Sequence, residues 1–214
     1  MEEINVNDPN WMRQMINIVE SKNKTIGILP GRFQPFHQGH LYMYTKLKEQ
    51  CDEIYIATSG KIQPPKSLLT FAEKKTIMEH SGIPSNSIIQ CRVPYVPVEI
   101  LQNYKENEDR VIFAVSQKDM GSNPRFTFGP KANGKASYYK LHRGDTKMDP
   151  FSRHGYVMVF PVHKFKLGNL PISSATEFRN YFSRVNEKLQ ERMITEMYGS
   201  YNPEVHRILK NKIR

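Results

Sequence analysis

Cysteine is scarce in this chain, with only Cys51 and Cys91 among 214 residues. Two thiols cannot make a disulfide framework or fill a four-ligand zinc site. No stretch approaches the roughly 18 consecutive apolar residues that a membrane-spanning helix needs. The opening Met1-Glu2-Glu3-Ile4-Asn5 is acidic and lacks the apolar region of a secretory signal. These absences argue for a cytoplasmic protein with no membrane partner. Disorder is excluded as well. Hydrophobic residues at 38% and aromatic residues at 11% can fill a core in one generous domain or two small ones.

Negative charge is also short. Asp and Glu number 21 against 31 Lys and Arg, which leaves a formal +10. Such a surplus attracts nucleic acid, acidic membrane surfaces or phosphorylated small molecules. Half of it is local: Gly121–Gly155 holds seven basic residues and two acidic ones, Asp145 and Asp149, a net +5.

Along the chain, strands alternate with helices. Asp8-Pro9 opens a helical pattern carried by Trp11, Met15, Ile18 and Val19. Strands are predicted at Thr25–Leu29, Glu53–Thr58, Ser87–Val93, Val111–Ser116 and Tyr156–Phe160. Helices are predicted at Gly39–Glu49, Thr70–Ser81, Ser174–Met197 and Glu204–Lys212, with Thr70 and Glu73 at capping-box spacing. The order implies an α/β fold, a parallel sheet with helices on both faces, plus N-terminal and C-terminal helices. The organisation expected is an N-terminal helical extension over 1–24, a main domain over 25–182 and a C-terminal helical segment over 183–214. Within the main domain, 118–155 reads as a basic insertion, rich in Gly, Pro, Asn, Ser and Lys and loosely packed.

Two segments carry chemistry. Gly31-Arg32-Phe33-Gln34-Pro35-Phe36-His37-Gln38-Gly39-His40 follows the first strand directly. Gly31 lets main-chain N–H groups approach a ligand, and the helix starting near Gly39 offers unpaired N–H groups to an anion. His37 and His40 bracket that start, so both rings can converge on one phosphate beyond the carboxyl end of a strand. A metal is disfavoured because no Cys, Asp or Glu lies nearby to complete a coordination sphere. The second segment, Ser173-Ser174-Ala175-Thr176-Glu177-Phe178-Arg179, opens another helix with capping-box spacing. Its hydroxyls, free N–H groups and Arg179 one turn later form a second anion-binding surface.

Together these segments resemble the HxGH nucleotidyltransferase superfamily, and within it the nicotinamide-mononucleotide adenylyltransferases of the archaeal and bacterial regulator type. The opening Gly-Arg-Phe-Gln-Pro-x-His-x-Gly-His stands intact at Gly31–His40, and the closing Ser-x-Thr-Glu-x-Arg at Ser174–Arg179. A Thr-x-x-Glu-Arg helix start is echoed at Thr70–Lys74, with Lys in place of Arg. The likeness covers roughly Thr25–Ser116 and Tyr156–Asn180.

The resemblance implies a Rossmann-like fold and transfer of a nucleoside monophosphate from a nucleoside triphosphate, with Mg²⁺ held mainly by the phosphates. Pro171-Ile172-Ser173-Ser174 looks more like the ATP users than the cytidylyltransferases. The expected reaction is AMP transfer from ATP to a phosphorylated small-molecule acceptor, foremost nicotinamide mononucleotide, giving NAD and pyrophosphate. The resemblance assigns His37 and His40 to the charge at the α- and β-phosphates. It gives Gly31, Arg32, Phe33, Gln34 and Gly39 to the ATP site, and Ser173, Ser174, Thr176 and Arg179 to its β/γ end. Lys74 is a candidate phosphate contact. Asp119 stands for the acid of the family's Gly-x-Asp turn near the acceptor, though the Gly is missing. An aromatic ring to stack the pyridine is sought among Phe126, Phe128, Tyr138 and Tyr139. The alternatives are another acceptor (phosphopantetheine, a sugar or polyol phosphate) and a non-catalytic nucleotide- or nucleic-acid-binding protein on the same fold. Nucleic acid at the basic 118–155 segment is the less favoured partner.

Overall fold

A computed structural model of the chain describes residues 23–130, 134–144 and 147–213. The helix expected at 8–20 lies outside them. Six strands form one parallel sheet: β1 (Thr25–Pro30), β2 (Glu53–Thr58), β3 (Ile88–Gln90), β4 (Arg110–Ser116), β5 (Tyr139–Leu141) and β6 (Gly155–Phe160). Their order across the sheet is β3-β2-β1-β4-β6-β5, which puts β1 and β4 at the centre. Ile28 pairs with Tyr55 on one side and Phe113 on the other. A small antiparallel hairpin, β7 (Phe165–Leu167) and β8 (Leu170–Ile172), follows the sheet.

Both faces of the sheet are apolar, because the central strands read as near-continuous hydrophobic runs. Successive residues alternate between two cores: Ile112 and Ala114 point one way, Val111, Phe113 and Val115 the other. The first core takes five helices: α1 (Gln38–Lys48), α2 (Phe71–His80), α4 (Ala175–Phe182), α5 (Glu187–Tyr198) and α6 (Pro203–Lys212). Leu47, Ile77, Phe178, Ile194 and Leu209 are all buried there. Residues of the two C-terminal helices share the core of the sheet. Gly27 sets how closely α1 seats, since a Cβ there would meet Leu47 Cγ at 2.8 Å.

The second core is covered differently. One short helix, α3 (Val98–Leu101), brings Ile100, connecting segments bring Tyr95, Tyr104, Phe126 and Phe151, and the edge strand β5 brings Tyr139. The basic insertion, expected to be loosely packed, joins this core at several of its described residues. It supplies the edge strand β5 and the fully buried Phe126, and Tyr138 Oη donates to the Phe151 carbonyl at 2.5 Å. Aromatic residues spaced among Gly and Lys hid this from composition alone.

The remaining differences from the sequence reading are local. The third strand is only three residues, because Pro94 and Pro97 follow it and cannot extend a ladder. The helix expected at Ser174–Met197 is two, split where Asn186 caps α5 through the Leu189 N–H at 3.0 Å. The hairpin β7–β8 escaped notice because each strand is three residues; Gly168 turns it at φ 58°.

Candidate active site

All six strands run the same way, so their carboxyl ends share one edge. There a cleft of about 990 Å³ opens over the ends of β1 and β4. Both motif segments line it, from Gly31 to His40 and from Ser173 to Arg179.

The first segment leaves β1 by a fixed path. The Gly31 N–H donates to the Ala57 carbonyl at 3.0 Å, which anchors the turn to β2. Phe33 follows in the left-handed region at φ 48°, costly for a residue with a side chain. Its buried ring packs on His40 at 4.8 Å and Phe36 at 5.7 Å, and it passes over Gly31, where a Cβ would lie 2.8 Å from it. Gln34, expected in the ATP site, lines the cleft but spends its side chain on the neighbouring loop. Its Oε1 accepts from the Leu68 and Leu69 N–H groups, both at 2.8 Å, and its Nε2 donates to Ser67 Oγ at 3.0 Å.

His37 is the N-cap of α1, and its N–H donates to His40 Nδ1 at 3.2 Å. That bond places the His40 proton on Nε2. The two rings stack with centroids 3.7 Å apart. Gly39 makes room, since a Cβ there would press on the His37 ring at 3.1 Å. Burial, with Lys118 and His163 nearby, lowers His37 to about 3, and its Nδ1 has no hydrogen-bond partner among the described residues. Burial and His37 hold His40 well below the ordinary imidazole value. Both rings are thereby held toward the neutral form.

The second segment caps α4. Ser174 Oγ accepts from the Glu177 N–H at 3.2 Å, but the Glu177 carboxylate turns to Ser173, taking its N–H at 2.6 Å and its hydroxyl at 3.0 Å. Arg179 ties the two segments together: Nη1 donates to the Gln34 carbonyl at 2.6 Å and Nη2 to Thr176 Oγ1 at 3.4 Å. Burial lowers its pKa, with Arg32 adding to the effect.

Beyond β4, the turn Gln117–Met120 is capped by Ser116, whose hydroxyl accepts from the Lys118 N–H at 3.3 Å. Lys118 Nζ then crosses to Ser173, donating to its carbonyl at 3.1 Å and its hydroxyl at 3.2 Å. Asp119 lines the cleft, and burial pushes its carboxyl up against the opposing pull of Arg125 and Arg32. Sequence reasoning passed over Lys118, although a basic residue just past a central parallel strand is a usable signal.

Two sets of candidates sit away from the cleft wall. Lys74 is not among its lining residues. It is buried, with Nζ donating to the Ser59 carbonyl at 2.7 Å and Thr58 Oγ1 at 3.2 Å, and burial lowers it to about 8. Among the aromatic candidates, Phe126, Phe128, Tyr138 and Tyr139 are all absent from the cleft wall. Tyr95 lines it instead, with the Arg125 guanidinium 5.3 Å over its ring.

The charge of the wall is one-sided. Arg32, Lys66, Lys118, Arg125, Arg179 and Lys212 line it, and Asp119 is the single carboxylate among the described lining residues. Lys212 comes from the end of α6 and pairs with Glu73 at 3.2 Å. No group of three His, Cys, Asp or Glu among the described residues is placed to hold a metal ion. The donor set does not fit a resident metal; it fits a polyanion. No helix among the described residues is long and apolar enough to cross a membrane.

Residues 28–125 match the cytidylyltransferase-like family. Over 90 residues, 40% of this chain and 48% of the relative, the sequence is 29% identical to a nicotinamide-nucleotide adenylyltransferase of Pyrobaculum arsenaticum. The fold is similar to that of a bifunctional NMN adenylyltransferase/ADP ribose pyrophosphatase from Francisella tularensis, with a TM-score of 0.51 and 19% identity. That likeness covers 88% of this chain and 49% of the other. The chain spans about half the length of each of these two relatives. The sheet is Rossmann-like, and the chain's resemblance to the HxGH nucleotidyltransferases, the nicotinamide-mononucleotide adenylyltransferases among them, is borne out by sequence and by fold.

Proposed function

We propose that this chain is an adenylyltransferase that moves AMP from ATP to a phosphorylated acceptor, nicotinamide mononucleotide in the first instance, releasing pyrophosphate. One observation carries the reading. Two phosphate-binding segments 133 residues apart, counted from His40 to Ser173, meet in a single basic cleft, bolted together by Arg179 on the Gln34 carbonyl.

An acceptor phosphate oxygen attacks the α-phosphorus, forms the new P–O bond, and the bond to the β-phosphate oxygen breaks with its electron pair. The nucleophile is already an anion, so no general base is required. Catalysis is then alignment of two anions and stabilisation of charge on the transferring group. The neutral imidazole of His40 serves as a hydrogen-bond donor through Nε2. The α1 N-terminus adds backbone N–H groups and a favourable field. Ser174, Thr176 and Arg179 face the β/γ end. Mg²⁺ would arrive with the nucleotide, since the cleft offers no cage of carboxylates.

Tyr95 supports an acceptor with a flat ring, because it is an aromatic side chain in the wall beside Asp119 and Arg125. The test is pyrophosphate release with ATP or CTP against nicotinamide mononucleotide, phosphopantetheine, a sugar phosphate and a polyol phosphate. Release with ATP and nicotinamide mononucleotide above the rest is expected. Release with another acceptor alone replaces the acceptor, and none with any pair sinks the reading.

A further inference from the structure

The histidine pair leaves a need unmet. Charge builds on the transferring phosphoryl group, yet the two rings at the α1 start are stacked on each other, and His40 Nδ1 is occupied by a backbone N–H. Besides the Mg²⁺ that would arrive with the nucleotide, a side-chain cation for that charge has to come from elsewhere in the wall. Three of the six lining cations have other partners, Arg179 on Gln34 and Thr176, Arg125 over Tyr95 and Lys212 on Glu73, while Arg32 and Lys66 start from the loops after β1 and β2 rather than from a capped turn. Lys118 differs. Its backbone is fixed by the capped turn at the end of the central strand β4, so its four-carbon stem starts from a rigid point. Its ammonium lies on Ser173 of the second segment, and its charge reaches the His37 ring of the first. It forms no salt bridge among the described residues, and Ser173 gives it only neutral oxygens.

We propose that Lys118 is a catalytic residue: on nucleotide binding its ammonium leaves Ser173 for the non-bridging oxygens of the transferring phosphoryl group. This rests on the adenylyltransferase reading. Lys118 keeps its proton throughout, since the step forms one P–O bond and breaks another without moving a proton. A neutral acceptor at 3.1–3.2 Å is a weak hold for an ammonium; a phosphoryl oxygen is a stronger one. Ser173, released from Lys118, keeps its hydroxyl on Glu177, so the cap of α4 survives the move.

The experiment measures single-turnover AMP transfer and ATP binding separately for Lys118→Met, Lys118→Arg and Lys118→Gly. Lys118→Met should lower the saturated rate by about a hundredfold and weaken ATP by no more than about threefold. Lys118→Arg should recover part of the rate, and methylammonium should restart Lys118→Gly in a saturable way, which a merely structural lysine would not allow. A loss wholly in ATP binding makes Lys118 a ground-state contact and overturns the proposal. So does an unchanged rate in Lys118→Met while the native protein turns over. A native protein that releases no pyrophosphate with any acceptor fails at the adenylyltransferase reading itself, and the role of Lys118 falls with it.

Discussion

The rings of His37 and His40 lie face to face, 3.7 Å between centroids and 24° from parallel. Two imidazolium ions would repel strongly at that spacing, so the stack is a device for keeping both neutral and aimed. His40 holds the His37 N–H and so keeps its own donor for the cleft. His40→Ala should therefore lower the transfer rate at least about a hundredfold, since loss of one such donor costs about 3 kcal/mol. Circular dichroism should still report the native fold. Near-native turnover in this variant would remove the motif from the mechanism.

Neutral burial also makes the fold sensitive to acid. His37 titrates near 3 when folded against 6.5 in the unfolded chain, so between those values the unfolded chain binds a proton that the folded one refuses. Its contribution is intact above pH 6.5 and is lost as pH falls toward 3, at about 1.4 kcal/mol per unit for this ring. Urea unfolding at pH 7, 6 and 5 should show a shallower decline in His37→Gln than in the native chain. Parallel curves would mean the ring is not held neutral.

Arg179 bridges the two halves of the cleft, which predicts a double effect. Arg179→Ala should weaken ATP more than the acceptor and also lower stability by about 1–3 kcal/mol, because the Gln34 carbonyl loses its charged donor. Arg179→Lys should rescue only part of the binding, since one ammonium cannot serve Gln34 and Thr176 as the planar fork does. Equal losses for ATP and acceptor in binding assays would place the residue elsewhere in the site.

Lys74 sits behind the cleft and acts through the fold. Lys74→Ala removes the donor to the Ser59 carbonyl and Thr58 hydroxyl, and should cost about 2–3 kcal/mol in denaturant unfolding. ATP affinity should stay within about twofold of native. A large loss of affinity at unchanged stability would return Lys74 to the phosphate site.

The strands β1, β2, β4 and β6 were legible because buried parallel strands are short apolar runs, and turn residues bound them sharply. Gly31–His40 and Ser173–Arg179, which line one cleft, were legible because each combines local signals: a helix start with a cap residue, and polar donors one turn apart. What stayed hidden depends on tertiary partners. Nothing local says that Lys118 crosses to Ser173, 55 residues on, or that Lys74 turns inward. Nor does a stretch of Gly, Lys and Asn announce that Phe126 will seal a core.

That residue gives the last prediction. Phe126 is 2% exposed and packs on Phe113 at 5.3 Å and Tyr139 at 4.6 Å, so the basic segment is part of the wall of the second core. Arg125, one residue before it, reaches the cleft. Phe126→Ala should cost about 3–5 kcal/mol from lost burial and the cavity left behind. It should also weaken the acceptor through Arg125, whose N–H is held by the Asp119 carbonyl at 2.9 Å. Arg125→Ala should weaken the acceptor alone, with stability nearly native. Denaturant unfolding and acceptor titration of the two variants separate the effects. A single-stranded oligonucleotide should bind neither variant differently from the native chain. If it instead binds the native chain tightly, with affinity falling steeply as salt rises, the segment is a nucleic-acid surface first and a cleft wall second.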